Sequence, residues 1–247
     1  MFFFNKNKPV LKNLIPNNFV DIHSHLLPGI DDGAKTFENT SFLISELKKI
    51  GFSKFITTPH VMEYVWQNST EKIEAVLNQT KADFRDKGSD NLLIAAAEYM
   101  MDSGFTKLFE TQKLRTLKDN LVLVEMSYLN APLNLYEILF QVQVAGYVPV
   151  LAHPERYSFY ESNLNEFSKL KNAGCLFQMN LLSSVGYYGK NVSKTTDYLL
   201  SNAMYDFVGS DVHHEKHVAS FHNKIVIKNS ELLENLIFKN EFFGSLV

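Results

Sequence analysis

From Phe19 onward, short apolar runs alternate with longer stretches whose apolar residues recur at helical spacing. The first run begins at Phe19 and ends at His23-Ser24-His25, and a helix is predicted from Thr36 to Lys49. That helix carries Phe42, Leu43, Leu47 and Ile50 on one side, with Gly51 closing it. Further runs are read at Phe52–Thr57 before Thr58-Pro59-His60, at Asn91–Ala97 before Glu98, and at Leu121–Val124 before Glu125. The later ones are Val148–Ala152 before His153, Cys175–Met179 before Asn180, and Asp206–Ser210 before Asp211-Val212-His213. Between them, helices are predicted near Thr70–Lys87, Phe105–Thr111, after Pro132, near Asn163–Lys171 and at Val192–Ser201. Pro132 suits a first helical turn, where its missing N–H is not needed. Glu231–Phe243 reads as a covering helix.

Seven strand–helix units of this length predict parallel strands with right-handed crossovers, and seven suggest a barrel more than an open sheet. The fold class is therefore α/β, a seven-stranded TIM-like barrel in one domain over residues 18–247, with residues 1–17 as an N-terminal extension. A chain of 247 residues suits one such domain, and 45% apolar with 13% aromatic residues supplies a core. A net charge of −3 without a basic run argues against nucleic acid as the partner. The single cysteine, Cys175, precludes an intrachain disulfide and suits a reducing, cytoplasmic setting. The opening Met1-Phe2-Phe3-Phe4 is too short for a secretory segment, and no run is long enough to span a membrane.

Chemistry collects at the run ends. In an extended segment, residues two apart point to the same face, so His23 and His25 form half of a metal site. Five of the eight histidines, His23, His25, His60, His153 and His213, stand at these ends, which in a barrel is the edge where active sites are built. With Asp32, Glu98, Glu125 and Asp211 they exceed what one ion needs and point to two or three metals sharing a carboxylate. Asp31 competes with Asp32 for its place. Asp21 is expected to be a supporting or structural residue and not a metal ligand. His214, His217 and His222 crowd after the last run and read as mostly solvated, with an edge role open to His214 or His217. Arg156, one of three arginines, follows His153 by three positions, and its guanidinium fork matches two phosphate oxygens. The alternative is a surface ion pair with Glu155 or Glu161. Among loop aromatics, Tyr64, Trp66, Tyr128, Tyr157, Tyr187 and Tyr188 are candidates to line a substrate slot, or simply to fill the rim.

These blocks resemble the polymerase-and-histidinol-phosphatase (PHP) superfamily, and more narrowly the bacterial PHP-type protein-tyrosine phosphatases of capsule and exopolysaccharide systems. The similarity rests on Asp21-Ile22-His23-Ser24-His25, Gly29-Ile30-Asp31-Asp32-Gly33, Thr58-Pro59-His60, Ala97-Glu98, Val124-Glu125, Ala152-His153-Pro154-Glu155-Arg156 and Gly209-Ser210-Asp211-Val212-His213. It implies a distorted seven-stranded barrel with a trinuclear centre, manganese foremost, with Fe, Zn, Co and Mg as alternatives. By resemblance His23 and His25 share one ion with Asp211, while Glu98 bridges to a second held by Glu125 and His153. Asp32, His60 and His213 hold the third.

The implied reaction is hydrolysis of phosphotyrosine by metal-bound hydroxide, with Arg156 on the phosphate and Tyr64 and Tyr128 as substrate contacts. The implied partner is the phosphorylated tail of a bacterial tyrosine kinase. The family often carries an arginine soon after the final Asp-x-His; here His214-Glu215-Lys216-His217-Val218 stands there, so either Lys216 or His217 substitutes or the phosphate grip on that side is weaker. The alternatives are a histidinol-phosphate phosphatase or other PHP phosphoesterase, and a catalytically weak, metal-stabilised binding partner of a kinase. A cysteine-based phosphatase is excluded, because the sixth residue after Cys175 is Leu181 and not arginine.

Overall fold

Parallel pairing organises the chain in two sheets. The structure, a computed structural model, describes residues 8–86 and 93–245. One sheet runs β1 (Phe19–Asp21), β2 (Phe52–Thr57), β4 (Leu93–Ala95); the other runs β3 (His60–Val61), β5 (Glu98–Met100), β6 (Leu121–Glu125), β7 (Val148–Ala152), β8 (Leu176–Asn180), β9 (Phe207–Gly209). All pairings in both are parallel. The result is an α/β fold with nine strands among the described residues, where seven runs were expected. The two extra strands, β3 and β5, begin just past the expected ends of two runs. Pro59, which has no N–H for a ladder, parts β2 from β3, and Ala96-Ala97 parts β4 from β5. Asn91 and Leu92 of the third expected run, Lys87 of the second expected helix and residues 1–7 lie outside the described residues.

Strand alternation divides the apolar side chains between two cores. Val20, Ile56, Leu121, Leu123, Val150 and Ala152 fill one with Phe243. Phe19, Phe55, Val122, Val124, Leu151, Phe177 and Val208 face the other, which the helices cover. Those helices are α1 (Phe37–Ile50), α2 (Thr70–Asp86), α3 (Phe105–Thr111), α4 (Leu135–Val144), α5 (Asn165–Asn172), α6 (Lys190–Ser201), α7 (Glu215–Ser220) and α8 (Ser230–Phe238). The Thr36 side chain caps α1, accepting from the Asn39 N–H. Leu43, Leu47 and Ile50 are buried, but Phe42 is turned to solvent, at the edge of the apolar stripe.

Three expectations are corrected. Pro132 precedes α4 and accepts from the Leu135 N–H at 3.2 Å, so it heads the turn into the helix and not the helix itself. The expected C-terminal helix stops at Phe238 and tightens into a 3-10 turn over Lys239–Phe243. That turn buries Asn240, whose side chain donates to Val20 O and Val208 O and accepts from Val208 N–H, tying β1 to β9. Finally, part of the stretch expected as an extension is anchored. Leu11 and Ile15 are buried, and Leu11 N–H donates to Asn223 O at 3.0 Å.

At the C-terminal edge the first and last strands meet through one parallel bridge, Ser24 with Val212. His25 N–H donates to Val212 O at 3.0 Å and Asp211 N–H to His23 O at 2.7 Å. The approach requires glycine: a Cβ on Gly209 would stand 2.5 Å from His23 Cβ.

Candidate metal centre

Glu98, at the start of β5, is the hub. Its Oε2 lies 3.2 Å from His23 Nε2, 3.4 Å from His25 Nε2 and 3.2 Å from His60 Nδ1, and its Oε1 lies 3.2 Å from His153 Nε2. Asp211 Oδ1 is 3.3 Å from His23 Nε2 and 3.5 Å from both His25 Nε2 and His213 Nδ1. Asp32 Oδ1 is 3.5 Å from His60 Nε2 and from His213 Nε2, and Glu125 Oε1 is 2.8 Å from His60 Nδ1. The structure thus gathers all nine strand-end candidates. Four overlapping groups have donor atoms within 4.8 Å of one another: His25-Asp32-His60-His213, His23-Glu98-His153, His23-His25-Asp211 and His60-Glu98-Glu125.

The backbone bends to deliver two of them. His153, just after β7, has φ +36°, and Asp211, after β9, has φ +51°, the left-handed region that side chains other than glycine rarely adopt. A second layer fixes the imidazoles. His23 Nδ1 meets Gln178 Oε1 at 2.7 Å, His25 Nδ1 meets Asp31 Oδ2 at 2.7 Å, and His213 Nδ1 meets Asp211 O at 2.9 Å. Such contacts set the tautomer and aim the other nitrogen. They also divide the aspartate pair: Asp31 is buried and accepts from Gly33 N–H, while Asp32 reaches the cluster. Gly33 permits the tight turn, because a Cβ there would stand 2.2 Å from His25 O. Asp21 stays outside the four donor groups and accepts from Ser210 N–H and Oγ; burial pushes its carboxyl up to about 6.

Burial and charge work against each other across the cluster. Burial opposes ionisation of Glu98, but His23 and His60 outweigh it and hold the carboxyl well below its usual range. Glu125 is pushed up instead, by burial and by the Glu98 charge. Burial and the neighbouring His25 oppose protonation of His60, yet Glu98 and Glu125 outweigh them and lift it to about 9. Both oxygens of Glu98, Glu125 Oε1, His60 Nδ1 and His153 Nδ1 are buried without a hydrogen-bond partner among the described residues. Buried polar atoms are ordinarily paired. A knot of imidazole and carboxylate donors left unpaired in this way fits divalent cations, which those donor types bind.

Arg156 reaches the same edge on a 3-10 turn, Pro154–Arg156, and its Nη1 donates to Asp211 Oδ2 at 2.7 Å. Neither Glu155 nor Glu161 pairs with it. Glu155 is buried, accepting from Asn180 N–H, Ser183 Oγ and Tyr205 Oη, and Glu161 accepts from Asn191.

A family model for capsular polysaccharide synthesis, CpsB/CapC, matches residues 19–228. The chain belongs to the CpsB/CapC family. It is 28% identical over 200 residues to the tyrosine-protein phosphatase CpsB of Streptococcus pneumoniae, covering 78% of this chain and 82% of that one. It is 25% identical over 206 residues to the tyrosine-protein phosphatase YwqE of Bacillus subtilis, covering 83% and 81%. Among solved structures, it matches the metal-dependent tyrosine phosphatases YwqE and CpsB with a TM-score of 0.75 at 24% identity, over 92% of this chain and 88% of that one. A histidinol phosphate phosphatase from Lactococcus lactis shares the fold at a TM-score of 0.51 and 12% identity, over 90% and 94%.

In this CpsB/CapC chain a cleft of about 970 Å³ opens beside the cluster, lined by Asp32, His60, Glu125, Tyr128, Tyr64 and Trp66. Tyr64 is 81% exposed, whereas Tyr128 stacks on His153 at 5.8 Å. Two residues offered for the missing arginine part company. Lys216 points to solvent on α7. His217 is buried, against the expectation of a solvated side chain, and its Nδ1 accepts from His213 N–H at 3.1 Å. His214 and His222 are exposed. Sequence reasoning missed Gln178 and Asn180, whose signal was two polar residues on one face of an apolar strand. Cys175 is buried and its thiol is pushed up to about 12 by burial, which leaves no thiolate nucleophile. No helix among the described residues is long and apolar enough to cross a membrane.

Proposed function

We propose that this chain is a metal-dependent protein-tyrosine phosphatase, acting in the cytoplasm on the phosphorylated tail of a bacterial tyrosine kinase that governs polysaccharide export. The observation that carries this reading is the Glu98-centred knot of unpaired donors beside Arg156, at the mouth of a cleft with an aromatic wall. Two or three divalent ions, manganese first, would be held by His23, His25 and Asp211, by Glu98 with Glu125 and His153, and by Asp32, His60 and His213. Bound there, the ions would supply Lewis acidity and make water nucleophilic near neutral pH. We read the nine strands as seven staves of a distorted barrel, β2 continuing into β3 and β4 into β5.

The chain's own part is positioning and charge. Arg156 offers N–H groups to the phosphate oxygens, where negative charge spreads in the transition state. Gln178, Asp31 and the Asp211 carbonyl keep His23, His25 and His213 aimed. The Tyr128 ring beside His153 supports a flat phenyl group entering from the cleft. The relatives named as tyrosine phosphatases support the substrate class.

The test compares manganese-loaded protein on a phosphotyrosine peptide and on histidinol phosphate, with a chelator control. Chelator-sensitive turnover favouring the peptide by about tenfold or more in kcat/KM is expected. Preference for histidinol phosphate would move the protein to amino-alcohol phosphates, and no turnover on either would sink both assignments.

A further inference from the structure

The guanidinium of Arg156 is held on several sides, although little of its hydrogen-bonding capacity is used. Its central carbon lies 4.2 Å from the ring centroid of Tyr188 and 4.7 Å from that of Tyr128. One nitrogen, Nη1, donates to Asp211 Oδ2, and among the described residues the guanidinium makes no other hydrogen bond. A guanidinium has five N–H donors, so most remain for a ligand.

The Tyr188 contact is part of a closed ring of interactions. Asn180 Nδ2 donates to Tyr188 Oη at 2.9 Å and to Asp211 Oδ2 at 2.8 Å, the same oxygen that receives Arg156. The loop carrying Tyr188 is fixed from beneath by the residue next to Arg156. Glu155 Oε1 accepts from Asn180 N–H at 2.9 Å and from Ser183 Oγ at 2.7 Å, pinning the 3-10 turn Leu181–Val185 that leads to Gly186 and Tyr188. One short turn after β7 therefore anchors the loop with one side chain and presents the arginine with the next.

We propose that Tyr188 is a positioning residue for Arg156: its ring, held by the Asn180–Asp211 hydrogen bonds, keeps the guanidinium in the pose whose free N–H groups meet the substrate phosphate. This rests on the reading of Arg156 as the phosphate contact. An arginine on a flexible stem gives up rotamer freedom whenever it binds. An aromatic face and a fixed carboxylate impose that order beforehand, so less is lost when phosphate arrives. Tyr188 need not touch the substrate to do this.

The test is a double-mutant cycle on manganese-loaded protein with wild type, Tyr188→Leu, Tyr188→Phe, Arg156→Ala and the Arg156→Ala/Tyr188→Leu pair. Direct binding of inorganic phosphate is measured by calorimetry beside kcat/KM on a phosphotyrosine peptide, with metal content and thermal midpoint as controls for folding. Tyr188→Leu is expected to weaken phosphate binding about tenfold and to lower kcat/KM by a similar factor. Tyr188→Phe keeps the ring and is expected to cost about two- to threefold. In the Arg156→Ala background, Tyr188→Leu should add nothing. Equal losses in both backgrounds would overturn the proposal. So would unchanged phosphate binding with impaired peptide turnover, because inorganic phosphate has no ring and that pattern would put Tyr188 on the substrate's ring. Unchanged phosphate binding in Arg156→Ala alone would instead sink the underlying role of Arg156, a result visible separately from the Tyr188 arms.

Discussion

The ends of β7 and β9 use the same device and reach different outcomes. Each strand stops at a cluster residue in the left-handed region, His153 in one case and Asp211 in the other. After His153 a single 3-10 turn buries Glu155 and swings Arg156 back onto Asp211. After Asp211 the chain enters α7, which sends Lys216 to solvent and folds His217 beneath His213. In the proposed function the first end supplies a cation for the substrate, while the second supplies a prop for an imidazole. The segment after a strand end matters as much as the residue on it, because a helix and a 3-10 turn present different faces over the same few positions.

Four measurements probe this division of labour. Arg156→Ala should have the greatest consequence, lowering kcat/KM on a phosphotyrosine peptide by about 100- to 1000-fold, the usual cost of losing one aimed donor to transition-state charge, with metal content intact. A loss below about tenfold would erase the functional difference between the two ends. Glu155→Ala leaves three buried donors unsatisfied and should lower stability by about 2–4 kcal/mol, read as a shifted urea midpoint.

A third measurement concerns a property the two ends share. Burial, then Arg156, pushes His153 down to about 4, and burial, then His214, pushes His217 down to about 3. Both enter the folded chain neutral and are protonated when unfolded below about 6.5. Between those values the unfolded chain binds more protons, so stability is full above about 6.5 and is lost as pH falls. Asp21, pushed up to about 6, and His60, lifted to about 9, pull the other way, so the quantity to compare is the slope of the metal-free thermal midpoint between pH 7 and 4.5 in wild type and variant. His217→Gln should flatten that slope by up to about 1 kcal/mol over the range, and an unchanged slope would show that the imidazole titrates normally. Lys216→Ala, the mildest change, should alter kcat/KM less than about twofold, since an exposed side chain pointing away from the cluster adds little. A larger loss would restore Lys216 as a phosphate contact.

Much of the architecture could be read from periodicity alone. The bounds of β6 and β7 coincide with their apolar runs to within a residue, because buried parallel strands are continuous in their apolar character. Eight of the nine cluster residues were visible as polar side chains at the ends of such runs, and Asp32 as part of a glycine turn soon after the first. The features that escaped were decided by three-dimensional neighbours. Asp31 and Asp32 are equivalent as letters, and only the close approach of Gly33 to His25 O turns one inward to the imidazole and leaves the other at the rim. Phe42 and Leu43 are adjacent on one helix, yet a rotation of about 100° places one in solvent and one in the core. His217 lay in a polar stretch whose helical face no periodicity disclosed, and Gln178 was hidden inside an apolar run.

Asn240 gives the molecule an order of assembly. It fastens the backbone of Val20, 220 positions earlier, to that of Val208, 32 positions earlier. The strands so joined are those that lead into His23 and His25 on one side and Asp211 and His213 on the other. Contacts across such separations close a very long loop and form late. During synthesis, the 220 positions between Val20 and Asn240 must be made before this fastening can form. On the proposed metal assignment, an ion arriving earlier would find histidines without their aspartate, so complete capture would belong to a chain that has already folded.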